Sequence, residues 1–479
     1  DGSDESGEVC AAGHHGEAAH MLRRTASACA AGGVLAAGAY AAQGGDEGRR
    51  SVLLGLARAD EQLRPALAAL LPAEAFVALY SASRTPFLGA LAASAGCGAL
   101  PSAPSIGLRA MGLSFRNDLG NAAGLDKDGT LLDFNYALGA GYAVVGTVLS
   151  DPHSGNLFDF LGGLWRGNAW TPLPSSGGAL NSLGLPSKGV EPALRNIAAF
   201  RERHGVPPQR AEHGRPAGDG GASFPVGVSI MGHPAHGDPA DKLEGVLRCV
   251  RLCLPLADFI EINESCPNVH HGGSHGGDAT AELRKRLEAI VAERDAAARG
   301  GGRRVPLLVK LGDLGEAEGT VRFLSRLGID GVVALNTQKD YASFELPPAD
   351  RALLDSYTAR YGGGLSGPPI LDRSSAQAAA AQAAVRELGL AGRFAVVHAG
   401  SISAVSRLCL GRRLRLRFVV VHVGGVQSAA DVQRSRATGA ELRQWYTGLM
   451  HGLARPEPDL LYERVTAPER HQRLRAAMR

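Results

Sequence analysis

The sequence predicts an α/β fold, a (β/α)8 TIM barrel with an N-terminal helical extension. Two observations lead there. From about residue 108 onward, short apolar runs alternate with stretches rich in Ala, Leu, Arg and Glu. Eight such runs fall in one domain-sized span, as a closed parallel barrel requires. A third observation sets aside the open doubly wound sheet: no Gly-x-Gly-x-x-Gly follows the first strand.

The expected strands are Leu119–Ala123, Tyr142–Thr147, Val226–Ile230, Phe259–Asn263, Leu307–Leu311, Gly331–Leu335, Phe418–His422 and Leu442–Tyr446. Helical stretches such as Ala279–Ala298, Glu316–Leu327 and Ser374–Leu388 lie between several of them. One near-repeat complicates the seventh position. Phe394-Ala395-Val396-Val397-His398 returns as Phe418-Val419-Val420-Val421-His422. The second copy runs into Gly424-Gly425-Val426, a turn suited to phosphate, so the strand is expected there. The first copy and the basic run Gly411–Arg417 then read as an excursion, with an insertion near residues 399–417.

Before the barrel, residues 1–50 read as a disordered leader. Within them Thr25–Ala42 carries no charge and follows Arg23-Arg24. An organelle-targeting leader, a marginal membrane anchor and an Ala/Gly linker all suit it. Residues 51–107 form a helical region, with Leu53, Leu54, Leu56, Leu63 and Leu67, then Phe76, Leu79, Tyr80 and Phe87, on apolar faces. Such faces pack on their own domain or lie on a membrane. The barrel fills residues 108–479.

Composition limits the alternatives. The 479 residues are 45% hydrophobic and 20% charged, as in a soluble globular protein. A formal net charge of +3, without a basic aromatic-studded face, gives no sign of nucleic-acid binding. Seven scattered cysteines do not form a disulfide framework. Cys249 and Cys253 share a helical spacing, but no ligand set completes a metal site.

The strand ends carry unusual groups. Asn121-Ala122-Ala123-Gly124 allows close approach of a flat ligand, and Lys127 adds charge at the rim. Lys310 finishes an apolar strand, where an ammonium is costly unless it meets an anion. Asn336 and Thr337 follow the sixth strand. The strand Phe259–Asn263 ends in Glu264-Ser265-Cys266-Pro267-Asn268, a polar turn with a thiol at its tip. Alone, that thiol reads as a packed small hydrophobe or as a reactive group. Glycine-rich turns, Gly362–Gly367 and Gly424-Gly425, suit a phosphate. Together these suggest a flavin mononucleotide barrel.

With the motifs Asn-Ala-Ala-Gly-Leu-Asp-Lys-Asp-Gly, Asn-Ser-Leu-Gly-Leu-Pro, Glu-Ile-Asn-Glu-Ser-Cys-Pro-Asn, Leu-Val-Lys-Leu, Gly-Gly-Leu-Ser-Gly and Val-Gly-Gly-Val, the sequence resembles the dihydroorotate dehydrogenases of pyrimidine biosynthesis. The resemblance implies FMN as cofactor. It places Ala122, Ala123, Gly124, Thr147, Ser229, Lys310, Ser366, Gly367, Gly424, Gly425, Tyr446 and Thr447 against the flavin or its phosphate. It places Lys127, Asn181, Gly184, Leu185, Asn263, Asn268, Asn336 and Thr337 around dihydroorotate. Cys266 is implied as the base, and Lys310 as the stabiliser of reduced flavin.

Features of two branches meet in this chain. Cys266 and the Asn181–Pro186 loop are similar to the soluble branch that uses fumarate or NAD. The leader, the helical region and Phe115-Arg116-Asn117 resemble the membrane-bound branch that reduces quinone. The extension favours quinone, with membrane association through the N-terminal region and placement at the mitochondrial inner membrane. Another flavin barrel, reducing a dihydropyrimidine or dihydrouridine, is the remaining alternative.

Overall fold

The computed structural model describes residues 45–94, 108–211, 223–264, 277–390, 394–398, 429–439, 442–453 and 461–466. Eight parallel strands organise it: β1 (Leu119–Asn121), β2 (Ala143–Val148), β3 (Val226–Ile230), β4 (Phe259–Asn263), β5 (Leu307–Leu311), β6 (Gly331–Ala334), β7 (Ala395–His398) and β8 (Arg443–Trp445). They form one sheet in the order β1-β8-β7-β6-β5-β4-β3-β2. Every neighbouring pair is parallel. The two end strands also meet, since Gly120 bridges Tyr142 in parallel and the Gly141 N–H donates to the Leu119 carbonyl at 2.8 Å.

These strands form because their residues are apolar on both faces. Val226–Ile230 and Phe259–Asn263 are buried throughout, as parallel strands covered on two sides must be. One side packs on the intervening helices through residues such as Val145, Val228, Ile260 and Val309. On the other, Tyr142, Val144, Phe259, Leu308, Val333 and Leu442 form a separate cluster. Met111, Leu113 and Phe115, from the hairpin of Leu108–Ala110 with Leu113–Phe115, pack into that second cluster.

The helices begin where local chemistry permits. Asp238 caps Pro239–Cys253 by accepting from Ala240 N–H, and Pro239 occupies the first turn. Glu316 accepts from the Glu318 and Gly319 N–H groups at the start of Ala317–Arg326. Cys249 and Cys253 are buried free thiols, and no metal-binding cluster occurs among the described residues.

The seventh sheet position corrects an expectation. Ala395–His398, the first copy of the repeat, pairs with β6 and β8. The chain leaves the helix Leu371–Glu387 and reaches this copy through a short connection, whereas the second copy lies farther along. Both copies have the same strand pattern, so proximity to the preceding helix decides. Phe418–His422 and the insertion near 399–417 lie outside the described residues, as does Thr25–Ala42.

The described part of the N-terminal region is helical, and its first helix begins at Gly45, inside the span 1–50 expected to be a disordered leader. Helix α1 (Gly45–Leu70) and helix α2 (Ala73–Ala93) pack together. Phe76, Val77 and Tyr80 of α2 bury against the antiparallel ribbon Ala169–Leu173 and Gly178–Ser182 and the helix Pro348–Tyr361. Ser81 Oγ donates to the Trp170 carbonyl at 3.0 Å, fixing α2 on that ribbon. Among the described residues no helix is long and apolar enough to cross a membrane.

Three buried aspartates pin the N-terminal ends of strands. Asp118, before β1, accepts from Arg436 Nε at 2.7 Å and Arg443 Nη1 at 2.5 Å. Asp258, before β4, holds Arg201 at 2.8 Å and the Val226 N–H at 2.7 Å. Asp330, before β6, holds Arg294 at 3.0 Å and the Leu307 N–H at 3.0 Å. Removing one partner strands a buried charge, because Arg443 is fully buried. Asp118→Ala is therefore expected to cost about 3–5 kcal/mol in urea unfolding, whereas a loss under about 1 kcal/mol would assign the pair no structural weight.

Candidate active site

The C-terminal ends of the strands surround a cleft of about 890 Å³. Ala122, Ala123, Gly124 and Lys127 enter it from the turn after β1, and Thr147 from β2. Asn263 comes from β4, Lys310 from β5, and Asn336 and Thr337 from the turn after β6. Asn181 comes from the ribbon strand Gly178–Ser182, and Gly184 and Leu185 from the loop after it. Ser366, Tyr446 and Thr447 close the remaining side.

Register explains this convergence. Asn263 pairs with Lys310 across β4 and β5, so both reach the same level at the same edge. Asn263 Nδ2 donates to Thr147 Oγ1 at 2.9 Å, and Thr147 Oγ1 lies 3.1 Å from Ser229 Oγ. A polar chain thus links the ends of β2, β3 and β4. Ser366 Oγ donates to the Ala179 carbonyl at 3.1 Å and approaches Thr447 Oγ1 at 3.5 Å.

Two glycines have conformational reasons to be there. Gly124 has φ +103°, and the position of an added Cβ has no atom within 4 Å. Its backbone therefore faces open space in a shape other residues avoid. Gly184 has φ +66°, and a Cβ there would sit 2.3 Å from Asn156.

Lys310 is 3% exposed, and no carboxylate lies within ion-pair distance of it among the described residues. A buried ammonium is costly unless it meets an anionic or electron-rich group. Lys127 sits in a loop shaped by Asp126, which accepts from Gly129 N–H at 2.8 Å and Leu131 N–H at 3.2 Å. Burial pushes the Asp126 carboxyl up to about 7, against the backbone N–H groups that pull it down.

Ser229 and Gly367 do not reach the cleft surface. Ser229 is fully buried behind Thr147. Gly367, at φ +96°, packs against Gly178. Cys266, Asn268, Gly424 and Gly425 lie outside the described residues. Glu264, at the last described position after β4, is held by Arg286 at 2.7 Å and 3.2 Å, and its N–H donates to the Lys310 carbonyl at 3.1 Å. The sequence reading missed Trp170, Leu183, Leu335 and Ile370, which also line the cleft. Leu183 and Leu335 sit inside motifs already singled out, whereas Trp170 and Ile370 carry no local signal.

A second cavity, of about 1160 Å³, opens between α1, α2, the ribbon of Ala169–Leu173 with Gly178–Ser182, and the helix Thr447–Leu453 after β8. Leu56, Leu79, Phe87, Pro172 and Met450 make it largely apolar. It shares Trp170, Tyr446 and Thr447 with the cleft. At the shared wall Arg84 Nε donates to Tyr446 Oη at 2.7 Å, and Arg84 Nη2 to the Gly124 carbonyl at 3.1 Å. Arg84 was not among the expected site residues, because nothing in an amphipathic helix marks which arginine faces another element.

Fold and site together define an α/β protein with a ligand cleft at the carboxyl ends of parallel strands and a lipophilic chamber beside it. The family model described as dihydroorotate dehydrogenase matches residues 106–392. A protein of Stenotrophomonas maltophilia strain R551-3 named dihydroorotate dehydrogenase (quinone) is 30% identical, over 75% of this chain and 83% of its own length. One of the same name from Alkalilimnicola ehrlichii is 32% identical, over 73% of this chain and 83% of its own. Among solved structures, Eimeria tenella DHODH in complex with ferulenol aligns with a TM-score of 0.55 at 20% identity, covering 83% of this chain and 92% of that one. The chain belongs to the dihydroorotate dehydrogenase family.

Asp126 gives a pH-dependent prediction. Its carboxyl is raised from 3.8 to about 7 in the folded protein. Between those values the native state holds a proton the unfolded chain has lost, so this group's contribution to stability falls as pH rises through that window. Asp126→Asn lowers the melting temperature through the altered loop bonds, and the deficit is expected to shrink from pH 5 to pH 8. A deficit that grows with pH contradicts the assignment.

Proposed function

We propose that this chain oxidises dihydroorotate to orotate, with FMN in the cleft and a quinone as electron acceptor in the second cavity. The observation that carries the reading is the shared wall of Trp170, Tyr446 and Thr447, which sets the polar cleft directly against the apolar chamber. The same-named relatives and the family model support it.

The sheet that carries the cleft reads as a closed (β/α)8 barrel. Support comes from the strand order, which returns from β8 to β1, and from the bridge between β1 and β2. The cleft fits FMN on this chain's own chemistry. Lys310 offers a buried cation with no carboxylate partner among the described residues, and Gly124 leaves open space against its backbone. Ser366 and Thr447 offer hydroxyls, with Ala122, Ala123, Thr147 and Tyr446 around them. Gly424, Gly425, Ser229 and Gly367 remain assigned to the cofactor by resemblance. When bound, FMN supplies hydride-accepting chemistry.

The protein's share is binding, orientation and proton removal. Asn181, Asn263, Asn336 and Thr337, with Asn268, present amides and a hydroxyl to the ring carbonyls, and Lys127 presents a cation to the carboxylate. Gly184 and Leu185 shape the covering loop. Cys266 is assigned the removal of the ring proton as thiolate, since a thiol reaches its basic form within a short range of neutral pH. Lys310 holds developing negative charge from a buried position.

Attachment to a membrane through the extension is part of the proposal. Leu56, Leu63, Leu70 and Leu79 of α1 and α2 are exposed, as a membrane-facing surface would have them. The mitochondrial placement expected from the leader finds no support in the named sequence relatives, which are bacterial. The soluble-branch reading with fumarate or NAD, drawn from Cys266, gives way to quinone on the strength of the second cavity.

Two outcomes test this. Purified wild-type protein is expected to turn over dihydroorotate with quinone faster than with fumarate or NAD, and the reverse order would sink the acceptor assignment. Cys266→Ala is expected to lower dihydroorotate turnover on the order of 100-fold or more while keeping bound flavin. Full activity in that variant would remove Cys266 as the base.

A further inference from the structure

The second cavity has two polar places on an otherwise apolar wall. One is the Arg84–Tyr446 pair beside the cleft. The other joins α1 to α2: Tyr80 Oη donates to Asp60 Oδ1 at 2.5 Å, and Arg64 Nε donates to Asp60 Oδ2 at 3.1 Å. Asp60, Arg64 and Tyr80 all line the cavity.

We propose that Asp60 and Tyr80 form a proton relay from solvent to the acceptor reduced in this cavity. The inference rests on the quinone reading given above. Reducing a quinone to a quinol takes two electrons and two protons. The hydride removed from dihydroorotate accounts for both electrons and one proton. The proton taken by the base leaves on the substrate side, so the second quinol proton must enter through the cavity. An apolar wall cannot deliver it, and Asp60–Tyr80 is suited to do so. Solvent gives a proton to the Asp60 carboxylate, the Tyr80 hydroxyl turns from Asp60 and passes its hydrogen to the acceptor oxygen, and the proton now on Asp60 replaces it, which returns Asp60 to the carboxylate.

The pair is built for this direction of transfer. The Tyr80 residue is 6% exposed, whereas the Asp60 side chain keeps 34% exposure. Tyr80 is therefore the buried member of the pair and Asp60 the member that water reaches. Burial, and then the bond to Asp60, raise the Tyr80 phenol well above its ordinary range, so it stays a neutral donor. Arg64 is the cation facing Asp60 from the same helix, held by a second, shorter contact to the same carboxylate oxygen. It orients the carboxyl so that the remaining oxygen serves Tyr80.

The test compares Asp60→Asn, Asp60→Glu and Tyr80→Phe in the full flavin-loaded chain, with two acceptors. Ferricyanide takes electrons without protons, and a short-chain ubiquinone analogue takes both. Asp60→Asn and Tyr80→Phe are expected to lower quinone kcat on the order of 100-fold and to change its solvent deuterium isotope effect, with ferricyanide turnover retained. Asp60→Glu is expected to recover much of the quinone rate. Equal loss with both acceptors in Asp60→Asn and Tyr80→Phe, or a raised quinone KM at wild-type kcat, overturns the relay. An unchanged isotope effect at wild-type rate does the same. Wild-type protein that reduces ferricyanide but no quinone overturns the acceptor reading itself.

Discussion

Fixed strand register is the constraint on which the site depends. Asp258 and Asp330 each hold an arginine and also accept the backbone N–H at the start of a neighbouring strand. The strands are thereby locked at their N-terminal ends, away from the chemistry. Side chains alternate faces with a period of two, so a one-residue slip of β5 would turn Lys310 away from the cleft. With register held, Asn263 and Lys310 stand side by side. In an architecture of this kind, the end that supplies stability and the end that supplies chemistry can vary separately.

The helical extension completes the site rather than decorating it. Arg84 of α2 reaches across to Tyr446 and to the Gly124 carbonyl. It ties the chamber wall to the turn after β1, where the chain approaches the cleft most closely. Ser81 holds the same helix to the ribbon that carries Trp170 and, through its second strand, Asn181. A shift of α2 would therefore be felt in both cavities.

Much of this was legible in the sequence, for identifiable reasons. Buried parallel strands are nearly continuous apolar runs, so β3, β4 and β5 were legible to the residue. Asn263 at the last position of β4 and Lys310 at the penultimate position of β5 break the apolar pattern, and the break marks the site. The seventh strand was misplaced because Ala395–His398 and Phe418–His422 have the same local pattern. Only the path from the preceding helix distinguishes them. Trp170, Arg84 and the Asp60–Tyr80 pair were not legible at all. Their roles arise from contacts between elements distant in sequence, and an amphipathic helix gives no sign of which polar residue on its flank will meet another helix.

The most direct measurement of the central claim is an anaerobic half-reaction. The purified protein is mixed with dihydroorotate in the absence of any acceptor, and the absorbance band of oxidised flavin is followed. The account predicts that the band bleaches, orotate appears in equal amount, and a quinone added afterwards restores the colour. A band that dihydroorotate leaves unchanged would contradict it.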